Sequence, residues 1–156
     1  MDGIHGDEFS PLEGLRVVDL SDEKGELCGR LLGDLGADVL KIESPNGSIS
    51  RSLEPFAPDG TSLYFAYRNI NKRASVIDFN DENGIADLLH LIKQSDVLIE
   101  TFLPGTLAEL GISPELLLSE NPSLIIVSLT DFGQTGPDSS YASTDEIVFA
   151  RSGWLS

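Results

Sequence analysis

Basic residues, cysteines and long apolar runs are all scarce in this sequence. Its 156 residues include 10 Lys and Arg against 26 Asp and Glu, for a formal net charge of −16. Nucleic acid and anionic membrane surfaces would repel so acidic a chain, and we predict neither as a partner. No apolar run approaches the roughly 20 residues that a helix needs to span a bilayer.

Cys28 is the single cysteine, so the chain cannot form an internal disulfide. This is typical of a protein from a reducing compartment. The first residues are acidic and lack the basic start and the apolar centre of a signal peptide. We therefore predict a cytoplasmic protein with a flexible leader over residues 1–10 and one domain over residues 11–156.

Familiar ligand-binding motifs are missing as well. The loop after the first predicted strand contains no Gly-x-Gly-x-x-Gly, which argues against classical dinucleotide binding. There is no Walker loop. His5 and His90 are isolated and Cys28 falls on a predicted helix, so we predict no metal site.

Short apolar runs alternate with segments of helical periodicity along the whole chain. This alternation predicts an α/β fold in which a parallel sheet carries helices on both faces. The fifth strand is apolar enough to be buried on both of its faces. We predict strands over residues 15–20, 37–43, 75–78, 97–100 and 124–129, helices over 26–35, 63–67, 82–93, 106–110 and 114–120, an irregular surface loop over 44–62 and a last helix starting at 145.

Ligands in parallel sheets bind at the carboxyl ends of the strands. This rule directs attention to the loops after the predicted strands and to residues 77–80. Carboxylates stand at several of these positions, and each could serve as a general base or a nucleophile. In an acidic chain, simple solvation is the alternative role for each. The four candidates are Asp19, Glu43, Glu100 and Asp145.

A basic segment precedes the third predicted strand. Arg68, Lys72 and Arg73 are three of the ten basic residues, gathered within six positions. Two interpretations remain open at this point. The cations either balance charge on a solvated turn or hold an anion at the start of the strand.

The ordered set of motifs in this chain resembles the N-terminal part of the family III CoA-transferases, also called the CaiB/BaiF family. The resemblance extends over residues 11–156. It implies a Rossmann-like parallel sheet with helices on both faces, the N-terminal part of that family's fold. The motifs are Pro11-Leu-Glu-Gly-Leu-Arg-Val-Val-Asp-Leu20, Leu35-Gly-Ala-Asp-Val-Leu-Lys-Ile-Glu43, Asn69-Ile-Asn-Lys-Arg73, Asp96-Val-Leu-Ile-Glu-Thr-Phe-Leu-Pro-Gly105, Leu110-Gly111, Asn121-Pro122 and Phe132-Gly-Gln-Thr-Gly-Pro137.

The resemblance also implies an activity. Family members move coenzyme A between carboxylic acids through an acyl–aspartyl anhydride and a thioester, or racemise 2-methylacyl-CoA. Acyl-CoA and a carboxylic acid would be the substrates, with no covalently bound cofactor. Two chains would interlock, as a homodimer or as a heterodimer with a family partner. Asp145 matches an acidic position near the thioester, in a supporting catalytic role. The implied coenzyme A-binding residues are Lys24, Lys72, Arg73, Ile77, Asp78, Phe79, Asn80, Thr101, Phe102 and Leu103.

This sequence departs from the family pattern at several positions. Lys24-Gly25-Glu26 replaces the usual Ala-Gly-Pro after the first strand. Ser44, Leu103 and Glu109 stand where basic residues are common, which lowers the expected affinity for coenzyme A phosphates. Thr144 replaces the histidine of the racemase branch.

The Gly-Asp-x-x-x-Gly segment of the family's nucleophile is not in this sequence. We therefore expect these residues alone to be catalytically incomplete. Two alternatives to a transferase follow. One is a non-catalytic subunit or degenerate half of a fused pair, and the other is a generic α/β binding module.

Overall fold

Five parallel strands form one sheet in the part of the chain that the computed structural model describes, residues 10–154. The spatial order is β3-β2-β1-β4-β5, and each pair of neighbours is parallel. This confirms the α/β prediction. Except for Ser10, the predicted leader lies outside the described residues. The strands are β1 (Arg16–Asp19), β2 (Asp38–Glu43), β3 (Lys72–Val76), β4 (Val97–Glu100) and β5 (Ile125–Ser128).

The helices connect the strands, with bounds close to the predicted ones. Asp81 caps the third helix by accepting from the Asn83 N–H, and Ser113 caps the fifth by accepting from the Leu116 N–H. Gly36 follows the first helix with φ +99°, the left-handed conformation of a C-terminal glycine. The helices are α1 (Glu26–Asp34), α2 (Leu63–Asn69), α3 (Glu82–Ile92), α4 (Thr106–Glu109), α5 (Pro114–Glu120) and α6 (Asp145–Arg151), with a 3-10 helix over Ile49–Ser52.

Apolar side chains cover both faces of the sheet. Successive residues of a strand point to opposite faces, so Val17 joins one core cluster and Val18 joins the other. Each fully buried side chain of this size stabilises the fold by about 1.5–3 kcal/mol. Cys28 and Leu32 of α1 pack against one cluster, and the other includes Leu88 and Ile92 of α3 and Leu117 of α5.

Three local predictions differ from the structure. β3 starts at Lys72 and not at Ser75, because Lys72 already pairs with Val39 of β2. The burial predicted for the fifth strand is wrong. β5 is an edge strand of the described sheet, and Ile125 is 60% exposed. Residues 44–62 are more ordered than predicted, since they include the 3-10 helix and a buried Ser50.

Candidate functional site

The direction of chain crossover reverses between β1 and β4, which are neighbours in the middle of the sheet. A parallel sheet forms its ligand crevice at such a switch point, beyond the carboxyl ends of the strands. Here the crevice is bordered by the loops that follow β1 and β4. A hydrogen bond of 2.8 Å from the Asp22 N–H to the Thr101 hydroxyl joins these two loops.

The close packing of the two loops requires a glycine at position 25. A Cβ atom on Gly25 would lie 2.6 Å from the side chains of both Ser21 and Thr101. Any larger residue would push the loop away from β4. Within residues 24–26, Lys24 and Glu26 depart from the family pattern and Gly25 does not. Gly25 is retained because a side chain there would clash with Ser21 and Thr101.

Asp19 ends β1 as a fully buried carboxylate. Its Oδ1 accepts from the backbone N–H of Ser21 at 2.9 Å and also from the Ser21 hydroxyl. Its Oδ2 lies 2.8 Å from the ammonium of Lys72. Burial lowers the pKa of Lys72, and the adjacent Asp19 carboxylate acts in the opposite direction.

A second buried ion pair lies at the start of α1. The Glu26 carboxylate accepts from the hydroxyls of Ser48 and Ser50 at 2.9 and 2.7 Å and lies 3.2 Å from the Lys41 ammonium. Burial raises the pKa of Glu26, but Ser50 and Lys41 outweigh that effect, and the pKa is below its usual range. A negative charge thus occupies the first turn of α1, where a helix would otherwise favour a phosphate.

A cleft of about 560 Å³ opens beside the loop after β1. Lys24 lies on its wall and forms an ion pair of 2.8 Å with Asp131, from the loop after β5. This hydrogen bond raises the pKa of Lys24 and lowers that of Asp131. The cleft is lined by Glu23, Lys24, Tyr64, Arg68, Asp131, Ser143, Thr144, Asp145 and Val148.

The predicted segments 77–80 and 101–103 meet through an aromatic pair. The rings of Phe79 and Phe102 are 6.3 Å apart in an edge-to-face arrangement, with an interplanar angle of 82°. Asp78 turns the first segment by accepting from the Asn80 N–H at 2.9 Å. Ile77 anchors it, because its side chain is buried and its N–H donates to the Glu43 carbonyl.

Leu103 lies beside a second, mostly apolar cavity of about 430 Å³. Its side chain is 52% exposed. The neighbouring Glu100 is buried and accepts from the Phe102 N–H at 2.7 Å. Leu103, where the family resemblance implies a cation, is therefore an exposed apolar side chain.

The structure places the predicted site residues in four locations. Lys24 and Asp145 share the cleft, and residues 77–80 and 101–103 meet at the aromatic pair. Lys72 is buried and holds acceptors of its own chain, namely Asp19, the Glu26 carbonyl and Asn69. Arg73 forms an exposed ion pair with Asp38, near the amino end of β2.

Sequence reasoning missed several residues around the crevice. Arg51 forms two hydrogen bonds of 2.7 Å with the Glu43 carboxylate, and its guanidinium lies over the Phe65 ring. Tyr64 reaches the cleft from α2, a helix that no sequence pattern connects with the loop after β1, and its ring lies there beside Arg68 of the basic segment. The helical periodicity of residues 63–69 could have indicated a shared face, but not the partner of that face.

A family model described as CoA-transferase family III matches residues 12–156. The chain belongs to CoA-transferase family III. A probable fatty acyl-CoA transferase of Mycobacterium tuberculosis is 38% identical over 146 residues, 92% of this chain and 37% of that protein. An acetyl-CoA:oxalate CoA-transferase of Acetobacter aceti is 41% identical over 145 residues, again 92% of this chain and 37% of that protein.

The fold of this family III chain also matches a solved relative. The crystal structure of a CaiB/BaiF family protein from Brucella suis superposes with a TM-score of 0.87 at 39% identity, covering 92% of this chain and 39% of that one. The chain thus spans less than half the length of these relatives. None of the helices within residues 10–154 has the length and apolar character needed to cross a membrane.

Proposed function

We propose that residues 11–156 form the coenzyme A-binding N-terminal part of a CoA-transferase that moves coenzyme A between carboxylic acids. The observation that carries this proposal is the position of Thr101 and Phe102. Thr101 contacts the loop after β1, and Phe102 contacts Phe79 in the segment after β3. Two adjacent residues thus join the three segments that the family resemblance assigns to coenzyme A.

The proposed reaction proceeds through an aspartate that lies outside this sequence. Its carboxylate attacks the thioester carbonyl of the donor, forming a mixed anhydride and releasing the coenzyme A thiolate. The thiolate then attacks the aspartyl carbonyl, giving an aspartyl thioester and the free acid. An acceptor carboxylate reverses these two steps with its own acyl group. Thr144 stands where the racemase branch has histidine, so transfer is favoured over racemisation.

Residues of this chain would bind and orient the substrate. The edges of Phe79 and Phe102 offer an apolar surface to the nucleotide or the pantetheine arm. Lys24 offers an exposed ammonium at the wall of the cleft, where Asp131 already fixes its position. Asp145 begins α6 on the same cleft and would contact the acyl end.

The absence of basic residues at positions where the family resemblance implies them would weaken coenzyme A binding. A hydrogen bond to a charged group contributes roughly 1.5–3 kcal/mol, so each lost partner of a phosphate lowers affinity by roughly ten- to a hundredfold. Leu103 is exposed at such a position and Glu109 is exposed at another. The absence of these basic residues favours a second candidate function. In it, the chain is a non-catalytic subunit or degenerate half that interlocks with an active family partner. We place either form in the cytoplasm, because its single cysteine is free.

Calorimetry of the native polypeptide with acyl-CoA tests binding, and transfer of labelled coenzyme A to a panel of carboxylic acids tests the reaction. We expect micromolar binding that Phe102→Ala weakens at least tenfold. Phe56→Ala is the matched control, because Phe56 is an exposed aromatic residue that does not line the cleft. Binding without transfer, together with co-purification of a family partner, would favour the non-catalytic subunit. A folded native polypeptide that does not bind acyl-CoA would refute the proposal.

A further inference from the structure

Three carbonyl oxygens in residues 21–26, the β1–α1 loop together with the first residue of α1, each accept from a different basic side chain. Lys41 donates to the Ser21 carbonyl at 2.7 Å. Arg68 donates to the Glu23 carbonyl at 3.0 Å. Lys72 donates to the Glu26 carbonyl at 2.7 Å. These donors come from β2, α2 and β3, so three separate elements hold one short loop.

Lys41 is one of the two donors whose side chains are buried, the other being Lys72. The Lys41 side chain is 1% exposed, and its ammonium lies 3.2 Å from the Glu26 carboxylate. Buried ion pairs often contribute little net stability compared with apolar residues of the same volume, while they do fix one arrangement of the groups that they contact. The contact of Lys41 with a backbone carbonyl of the loop indicates which arrangement this pair fixes.

The peptide unit between Ser21 and Asp22 is held at both ends. A trans peptide is planar, and its C=O and N–H point in opposite directions. The carbonyl of this unit accepts from Lys41, and its N–H donates to the Thr101 hydroxyl at 2.8 Å. A rotation of this unit would break both bonds together. The next residues, Glu23 and Lys24, are the ones that line the cleft.

We propose that Lys41 is a positioning residue for the acyl-CoA cleft, acting through the Ser21–Asp22 peptide on the placement of Glu23 and Lys24. The effect of Lys41 on substrate binding rests on the proposed function. The effect of Lys41 on the loop does not. A preorganised loop lowers the cost of ordering on binding. Loss of the lysine contact therefore raises KM for acyl-CoA and leaves kcat nearly unchanged, because ground state and transition state lose the same binding.

The test uses a variant of the native polypeptide that removes both charges of the pair, Lys41→Met with Glu26→Gln. The glutamine can still accept from Ser48 and Ser50. The matched control is Lys93→Met with Glu120→Gln, which removes an exposed ion pair between the end of α3 and the end of α5. We expect the Asp22 amide of the first variant to exchange hydrogen at least about tenfold faster and its KM to rise about tenfold, with neither change in the control.

Thr101→Val provides a second test if the double variant does not fold, since it removes the acceptor at the other end of the same peptide unit. We expect the same faster exchange at Asp22, and only the exchange rate is compared, because Thr101 itself belongs to the proposed coenzyme A site. A folded double variant with unchanged Asp22 exchange would refute the positioning role, as would faster exchange with unchanged KM. If the wild-type polypeptide itself does not use acyl-CoA, the proposed function fails, and the exchange rates alone decide whether Lys41 holds the loop.

Discussion

The ammonium of Lys72 lies 2.8 Å from the carboxylate of Asp19, and both side chains are withdrawn from solvent. The anion that this lysine holds at the start of β3 is therefore one of the chain's own carboxylates. Arg73, the next residue, instead balances Asp38 on the exposed surface. Lys72 thus binds a carboxylate of its own chain, and Arg73 forms its exposed ion pair from within β3 and not from a turn.

Removal of Lys72 should strongly destabilise the fold. Lys72→Met leaves Asp19 buried without its cation, and we expect a loss of about 3–5 kcal/mol in the free energy of unfolding. Urea denaturation of the native polypeptide measures this loss. Adding Asp19→Asn should recover most of it. Arg73→Met is the matched control and should cost less than about 1 kcal/mol, because its pair is exposed. Equal effects of the two methionine substitutions would contradict the assigned burial.

The pair of Glu43 and Arg51 should contribute a pH-dependent stabilisation. Hydrogen bonds from Arg51 hold the pKa of Glu43 below its usual range in the folded state. The unfolded chain then binds more protons, so the stabilisation is present above the unfolded pKa and is lost as pH falls through the folded pKa. We expect Arg51→Met to cost about 1 kcal/mol at pH 7, since Arg51 is half exposed.

Urea denaturation at pH 7 and at pH 3 measures the pH dependence of that cost. The difference in the free energy of unfolding between wild type and Arg51→Met should shrink in acid. The part that comes from packing of Arg51 on Phe65 should remain, because it does not depend on pH. Lys93→Met removes an exposed pair with Glu120 and should change stability by less than about 0.5 kcal/mol. A cost of Arg51→Met that grows toward acid pH would contradict the expected sign of this linkage.

The aromatic pair should show measurable coupling. We expect a double-mutant cycle of Phe79→Ala and Phe102→Ala to give a coupling energy of about 0.5–1.5 kcal/mol in urea denaturation, from the edge-to-face contact. Each single variant should also weaken acyl-CoA binding in calorimetry. Independent effects of the two substitutions on stability would show that the rings do not interact.

A methyl group at position 84 should disturb the turn before α3. A Cβ on Gly84 would collide with the Asp78 carbonyl. We expect Gly84→Ala to destabilise the protein by about 1–2 kcal/mol, because the strain outweighs the better helix propensity of alanine. Thermal or urea unfolding measures the change, with the exposed Glu82→Ala in the same helical turn as the control. A stabilised Gly84→Ala variant would rule out the clash.

Sequence patterns predicted the helices and strands more accurately than they predicted the tertiary contacts. Short apolar runs located the five strands of the described sheet, because such runs depend only on neighbours along the chain. The exposure of β5 was not predictable in this way. Its residues resemble those of a central strand, and only the strand order shows that it lies at an edge.

The sequence by itself determined the α/β class, the family resemblance, and the segments that would border a coenzyme A site. The tertiary structure alone decided what each charged side chain does. Lys72 and Asp19 are 53 positions apart, and Lys41 reaches a carbonyl 20 positions away. Such pairs form because strand order brings β2 and β3 beside the carboxyl end of β1, where burial removes the water that would otherwise separate the charges.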